Sequence, residues 1–110
     1  GYSIVRDNKK CVFLCDNEFK DSQADELKMF AENADIIVWD GMFTREELRS
    51  KAGWGHSSIE QGIDFFSNLA SGKIIISHHA PDRTDAELDM IEQNLPNGIH
   101  LAKDGQVWKL

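Results

Sequence analysis

The chain alternates short apolar runs with amphipathic stretches, and the two periods separate cleanly. Residues 2–6 and 10–15 read as two strands around the turn Asp7-Asn8-Lys9. Residues 35–39 and 73–77 are continuous apolar runs, the pattern of strands covered on both faces. Between them lie helical stretches. Leu27, Phe30 and Ala31 share one face of a helix over residues 25–33. Thr44-Arg45-Glu46-Glu47 is a capping-box signature that opens a short helix to about Lys51. Gly53 and Gly55 break the chain. Ser57-Ser58-Ile59-Glu60 offers a second box, opening a helix to about Ser71 with Gly72 as its stop. Ile63, Phe66 and Ala70 give that helix its buried stripe, helped by Ile59 and Leu69. Thr84-Asp85-Ala86-Glu87 opens the last helix, and Pro96 closes the region behind it. Residues 99–102 and 106–110 suggest a terminal hairpin around Asp104-Gly105.

This order predicts an α/β chain with two βαβ-like crossovers, which are right-handed as a rule. The expected architecture is a mixed sheet with helices on one face. The apolar strands call for a second covering layer that the chain does not obviously supply.

With 110 residues there is room for one domain and one modest core. No apolar run approaches the roughly 20 residues needed to span a bilayer, and no signal peptide is visible. The net charge of −7 argues against a dedicated nucleic-acid binder, which needs a basic surface. It leaves room for a small phosphate-bearing substrate, because bound metal ions invert the local field. Cys11 and Cys15 lie four apart on one strand, hence about 13 Å apart. A disulfide needs Cα atoms within about 7 Å. Two reduced, buried thiols in a cytoplasmic protein are therefore expected.

Three of the apolar strands end on candidate ligands or acids: Asp16, Asp40 and His78. In parallel sheets, ligands bind beyond the carboxyl ends of the strands. Two acids and a histidine at three such ends predict one site. Asp16 can bind one metal or bridge two, and His78 can offer an imidazole nitrogen to a divalent metal. Asp40 and His56 make a second pair, in which the acid fixes the ring tautomer and the imidazole serves as proton donor. His56 precedes a helix start, where backbone N–H groups favour an anion such as phosphate. Each of these residues has an ordinary reading too: Asp16 and Asp40 as turn formers, His78 as a satisfied buried histidine, His56 as a loop residue packed on Trp54. His79 is expected to face away and to be structural.

Four segments in order carry a family resemblance: Phe13-Leu14-Cys15-Asp16-Asn17-Glu18, Trp39-Asp40-Gly41-Met42-Phe43, Gly53-Trp54-Gly55-His56-Ser57-Ser58 and Ser77-His78-His79-Ala80-Pro81, followed by Asp85. Together they resemble the C-terminal half of a metallo-β-lactamase-fold hydrolase, nearest the phosphodiesterase-like branch that includes ribonuclease Z and certain cyclic-nucleotide phosphodiesterases. The resemblance implies half of an αβ/βα sandwich, with residues 1–110 as its C-terminal half. It implies Asp16 as the metal-bridging aspartate and His78 as the last metal histidine. His56 matches the histidine that assists at the scissile phosphate, and Asp40 stands where ribonuclease Z has a glutamate. Trp54 and Ser57 would flank the substrate. Ser58 replaces the usual threonine. The His-x-His-x-Asp-His motif of the family's other half is absent from the sequence.

The resemblance therefore implies part of a phosphodiesterase. The intact enzyme would use two divalent metals, zinc or manganese, on a small phosphoester or RNA, and this chain alone would be inactive. Two alternatives accompany it. One is a non-catalytic half-domain that pairs with itself or with the missing N-terminal half. The other is a thioester or lactam hydrolase of the same fold.

Overall fold

The computed structural model describes residues 1–67, 69 and 72–110. Five strands form one sheet: β1 (Tyr2–Arg6), β2 (Lys9–Leu14), β3 (Ile36–Asp40), β4 (Lys73–Ser77) and β5 (Ile99–Leu101), in the order β1-β2-β3-β4-β5. β1 and β2 are antiparallel, and every later pairing is parallel. Arg6 pairs with Lys9, so Asp7 and Asn8 alone make the turn. Both have φ near +50 to +60°, as a type I′ hairpin requires.

Side chains alternate between the two faces of a strand. On one face the register aligns two rows across four strands. Val12, Ile37, Ile74 and Ile99 form the first, and Leu14, Trp39, Ile76 and Leu101 the second. All eight are buried. Three helices cover these rows: α1 (Ala24–Ala31, led in by a 3-10 turn at Asp21–Gln23), α3 (Ile59–Phe66) and α4 (Asp85–Gln93). They pack with Leu27 and Ala31, with Ile59, Ile63, Phe65 and Phe66, and with Leu88 and Ile91. The short α2 (Arg45–Lys51) lies outside and buries nothing. The mixed sheet with helices on one face is thus as expected.

Trp39 is the keystone of this face. It is fully buried, stacks on Phe65, meets Phe66 edge-on, and donates its indole N–H to Ser58 O at 3.0 Å. α3 comes so close that a Cβ on Gly62 would stand 2.5 Å from the Trp39 ring. A mid-helix glycine costs about 1 kcal/mol against alanine. Here it lets the helix lie directly on the indole.

Three expectations need correction. The second capping box starts one residue later: Ser58 caps, its Oγ accepting from Gln61 N, and the Gln61 side chain accepts from Ser58 N. Glu60 instead accepts from Arg45 N. α3 ends at Phe66, and the expected continuation through Ala70 to Ser71 falls on positions outside the described residues. The terminal hairpin does not form. β5 pairs parallel to β4, and residues 106–110 are no strand. The tail is held by other means: Trp108 packs against His100 with ring centroids 4.9 Å apart, and Lys73 Nζ lies 5.4 Å from the Trp108 ring. An aromatic and cationic contact replaces strand pairing.

By alternation His100 shares the second face with Phe13, Val38 and Ile75. Ile36 and Ile75 are buried on that face, whereas Tyr2, Ile4 and Phe13 at its β1–β2 end are exposed.

Candidate active site

Because β2, β3 and β4 are adjacent and parallel, their carboxyl ends open on the same edge. Asp16 lies just beyond β2, Asp40 ends β3, and His78 follows β4. Asp16 and His78 have φ of +54° and +60°. This left-handed conformation is uncommon for non-glycine residues, although Asp and His tolerate it better than most. Each such residue costs on the order of 1–3 kcal/mol. The neighbouring core rows can carry that, since a fully buried Ile or Leu contributes roughly 1.5–3 kcal/mol. The strained turns follow directly on the rigid sheet.

His56 arrives from the loop between α2 and α3. That loop is pinned to the chain after β3 by Phe43 N donating to Ser57 O at 3.3 Å and Ile59 N to Phe43 O at 2.9 Å. One ligand atom from each of Asp16, Asp40, His56 and His78 lies within 4.8 Å of the others. The sequence-predicted acids and histidines therefore converge.

Within the cluster the four play unlike parts. Asp40 is fully buried. Its Oδ1 accepts from Met42 N and Ser57 N, and its Oδ2 from Asn17 N. Oδ2 also lies 3.0 Å from His56 Nδ1. Both oxygens already accept backbone N–H groups, so the proton in this contact is the one on Nδ1. That fixes the His56 tautomer and leaves Nε2 as the free ring nitrogen. Asp40 is thus saturated with hydrogen bonds. Asp16 is the exposed member, with Oδ1 3.6 Å from His78 Nε2 and 3.8 Å from His56 Nδ1. The His56 and His78 rings stack at 4.9 Å.

The donor set fits part of a divalent-metal centre. Asp16 Oδ1 and His78 Nε2 are spaced close to two ligands at about 2.1 Å around one ion, and carboxylate plus imidazole suits zinc or manganese. Catalytic zinc takes three protein ligands. Asp16 and His78 give two, because Asp40 and the Nδ1 of His56 are spent on each other.

Three features of the site escaped the sequence reading. Glu18 accepts from Gly53 N and Gly55 N, both at 3.0 Å, one on each carboxylate oxygen. These bonds hold its carboxyl below the ordinary range. Ser57 is buried, and its hydroxyl donates to Asn17 O and accepts from Phe19 N. That places Ser57 as the clamp on the Asp16 loop. Arg83 makes a two-pronged pair with Glu47 at 2.7 and 3.1 Å and donates to Met42 O. It ties the loop after His78 to the loop after Asp40. All three join positions remote in sequence, where no short spacing could announce them.

His79 turns away from the cluster. Its Nε2 lies 3.2 Å from Ala102 O, and burial pushes its pKa down, so it is a structural histidine as expected. Cys11 and Cys15 are free thiols. Burial first, then the Asp40 and Asp16 charges, push Cys15 up to about 12, against a hydrogen bond from Ser77. It is an inert thiol. Trp54 is 63% exposed, edge-on to Phe43, with Lys51 Nζ 4.3 Å over its ring.

No protein-family model and no curated protein matches the chain. A solved structure does: the chain superposes on a "New Diphosphatase from the PhnP Family" with a TM-score of 0.58 at 17% identity, covering 93% of this chain and 35% of that one. The two share a fold. It is the metallo-β-lactamase type that the four motifs led us to expect, and the chain spans about a third of the diphosphatase's length. No helix among the described residues is long and apolar enough to cross a membrane.

Proposed function

We propose that this chain is the part of a metal-dependent phosphoester hydrolase that carries one wall of the active site. The observation behind this reading is the convergence of Asp16, Asp40, His56 and His78 within 4.8 Å, from three strand ends and one loop. Asp16 and His78 are the metal ligands. Two divalent ions, zinc or manganese, complete the centre together with ligands from outside these residues. When bound, they supply an activated hydroxide and charge neutralisation at the phosphorus.

The chain's own residues do the rest. Asp40 holds the His56 ring through Nδ1, so that Nε2 faces the leaving group and can pass it a proton. Trp54 offers an exposed ring beside the site for the substrate's organic part. Ser57 was expected at the substrate; its hydroxyl instead supports the Asp16 loop, and so it serves the substrate through that loop. The substrate class is a small phosphoester, with RNA as the larger variant. The two free cysteines support a reducing, cytoplasmic setting.

Cobalt titration of the chain tests the ligand assignment. Weak, substoichiometric binding that vanishes in both Asp16→Ala and His78→Ala supports it. Unchanged binding in either variant rejects it. Hydrolysis of bis(4-nitrophenyl) phosphate by the chain once its metal centre is completed by further ligands tests the reaction.

The exposed Tyr2, Ile4 and Phe13 favour a second reading, in which this face of the sheet serves association rather than chemistry.

A further inference from the structure

The Gly53-Trp54-Gly55 segment holds an anion already. Gly53 and Gly55 have φ of +87° and +89°, and their N–H groups converge on the two oxygens of one carboxylate, that of Glu18. Backbone amides turned to a common point in this way make a concave anion site. A Cβ at either glycine would meet nothing within 4 Å, so it is the positive φ, and not a lack of space, that calls for glycine at both. Lys20 lies close enough to add to the positive field at Glu18. Lys51 stands over the intervening Trp54.

Glu18 is a guest that can leave. Glu18 is only partly buried, and the backbone on both sides of it is held independently: Ser57 Oγ bonds Asn17 O and Phe19 N. The side chain can swing out while the Asp16 loop stays in place. The geometry points to a phosphoryl-binding nest at Gly53 and Gly55, next to His56, that Glu18 fills until a substrate's phosphoryl oxygens displace it. This rests on the hydrolase reading only for the identity of the molecule that brings the phosphoryl group. The nest itself is a property of the chain. A resident occupying it roughly 90% of the time lowers a competitor's apparent affinity about tenfold.

The test uses the metal-free chain and inorganic phosphate at low salt, read by the backbone amide signals of Gly53 and Gly55. Its outcome does not depend on hydrolysis, so the nest and the hydrolase reading can fail separately. In Glu18→Ala these two amides should shift saturably, with an affinity for phosphate about tenfold above that of the unaltered chain. Glu18→Gln, which keeps an acceptor but not the charge, should fall between them and decides the matter if Glu18→Ala does not fold. Amides that stay put in a folded variant, or equal phosphate affinity with and without Glu18, would overturn the proposal. An equal response to acetate would overturn its phosphoryl assignment.

Discussion

Asp40 Oδ2 stands 3.0 Å from His56 Nδ1, and the carboxylate that makes this contact is completely buried. Its remaining partners are three backbone N–H groups from three loops. One side chain thus sets both the ring and the loops that carry Asp16 and His56. Removing it strands several buried donors at once. A lost hydrogen bond to a charged group costs about 1.5–3 kcal/mol. Asp40→Ala should therefore destabilise the chain by at least about 3 kcal/mol, measured by urea unfolding. A loss under 1 kcal/mol would mean that the hydrogen-bond network is not formed in solution.

His56 makes a sharper kinetic statement. In an enzyme whose metal centre is complete, His56→Ala should cut phosphodiester turnover by roughly 100-fold or more, the usual scale for a general acid. Metal content should hardly change, because Nδ1 belongs to Asp40. If His56→Ala strips metal and spares turnover, the imidazole is a ligand and the assigned role fails.

The chain alone should retain far less than two equivalents of zinc after dialysis, since Asp40 and His56 Nδ1 are engaged with each other and Asp16 and His78 are the two ligands assigned to metal. Metal analysis of the purified chain checks this. Two tightly held ions would show that Asp40 and His56 give up their mutual hydrogen bond to coordinate.

Acid should loosen the loop brace. The Arg83 guanidinium holds the Glu47 carboxyl below its ordinary 4.5, chiefly through its hydrogen bonds to it. A depressed carboxylate contributes stability that is full above the unfolded pKa and lost as pH falls through the folded one. Glu47 is 41% exposed, so screening trims the contribution to about 1 kcal/mol. Arg83→Met should be less stable than the parent by that amount at pH 7, and the gap should close as the pH falls from 4.5 through the lowered pKa of the folded state. A gap that persists at pH 2 would assign the effect to packing.

Much of this was legible in the sequence, and the reason is local. Strand ends and apolar runs are short-range signals, so Asp16, Asp40 and His78 could be placed on one edge before any coordinates. The turn at Asp7-Asn8 and the boxes at Thr44 and Thr84 were legible for the same reason. The failures are tertiary. The 106–110 segment has strand-like composition, but Trp108 finds His100 and does not pair. Ser57 reads as a cap, yet Ser58 caps α3 because Ser57 is taken by the Asn17–Phe19 backbone. Glu18 bonds glycines on another loop, a relation that no spacing rule encodes.

The second face of the sheet yields the last prediction. Tyr2, Ile4 and Phe13 are 73%, 64% and 41% exposed, and the register sets Tyr2 against Phe13 across one strand pair. Ile4 faces Cys11 on the same side. The rest of this face is closed at its other end, where Ile75 is buried and Trp108 lies against His100. The apolar surface is therefore confined to the β1–β2 hairpin. Monomers rarely leave contiguous apolar patches larger than a few hundred Å². An edge strand beside such a patch also presents unpaired backbone groups to a second copy. The chain should self-associate at micromolar concentration, and Ile4→Lys with Phe13→Lys should return it to monomer without lowering its helix content. Light scattering with circular dichroism decides: a well-folded, strictly monomeric parent chain would sink the idea.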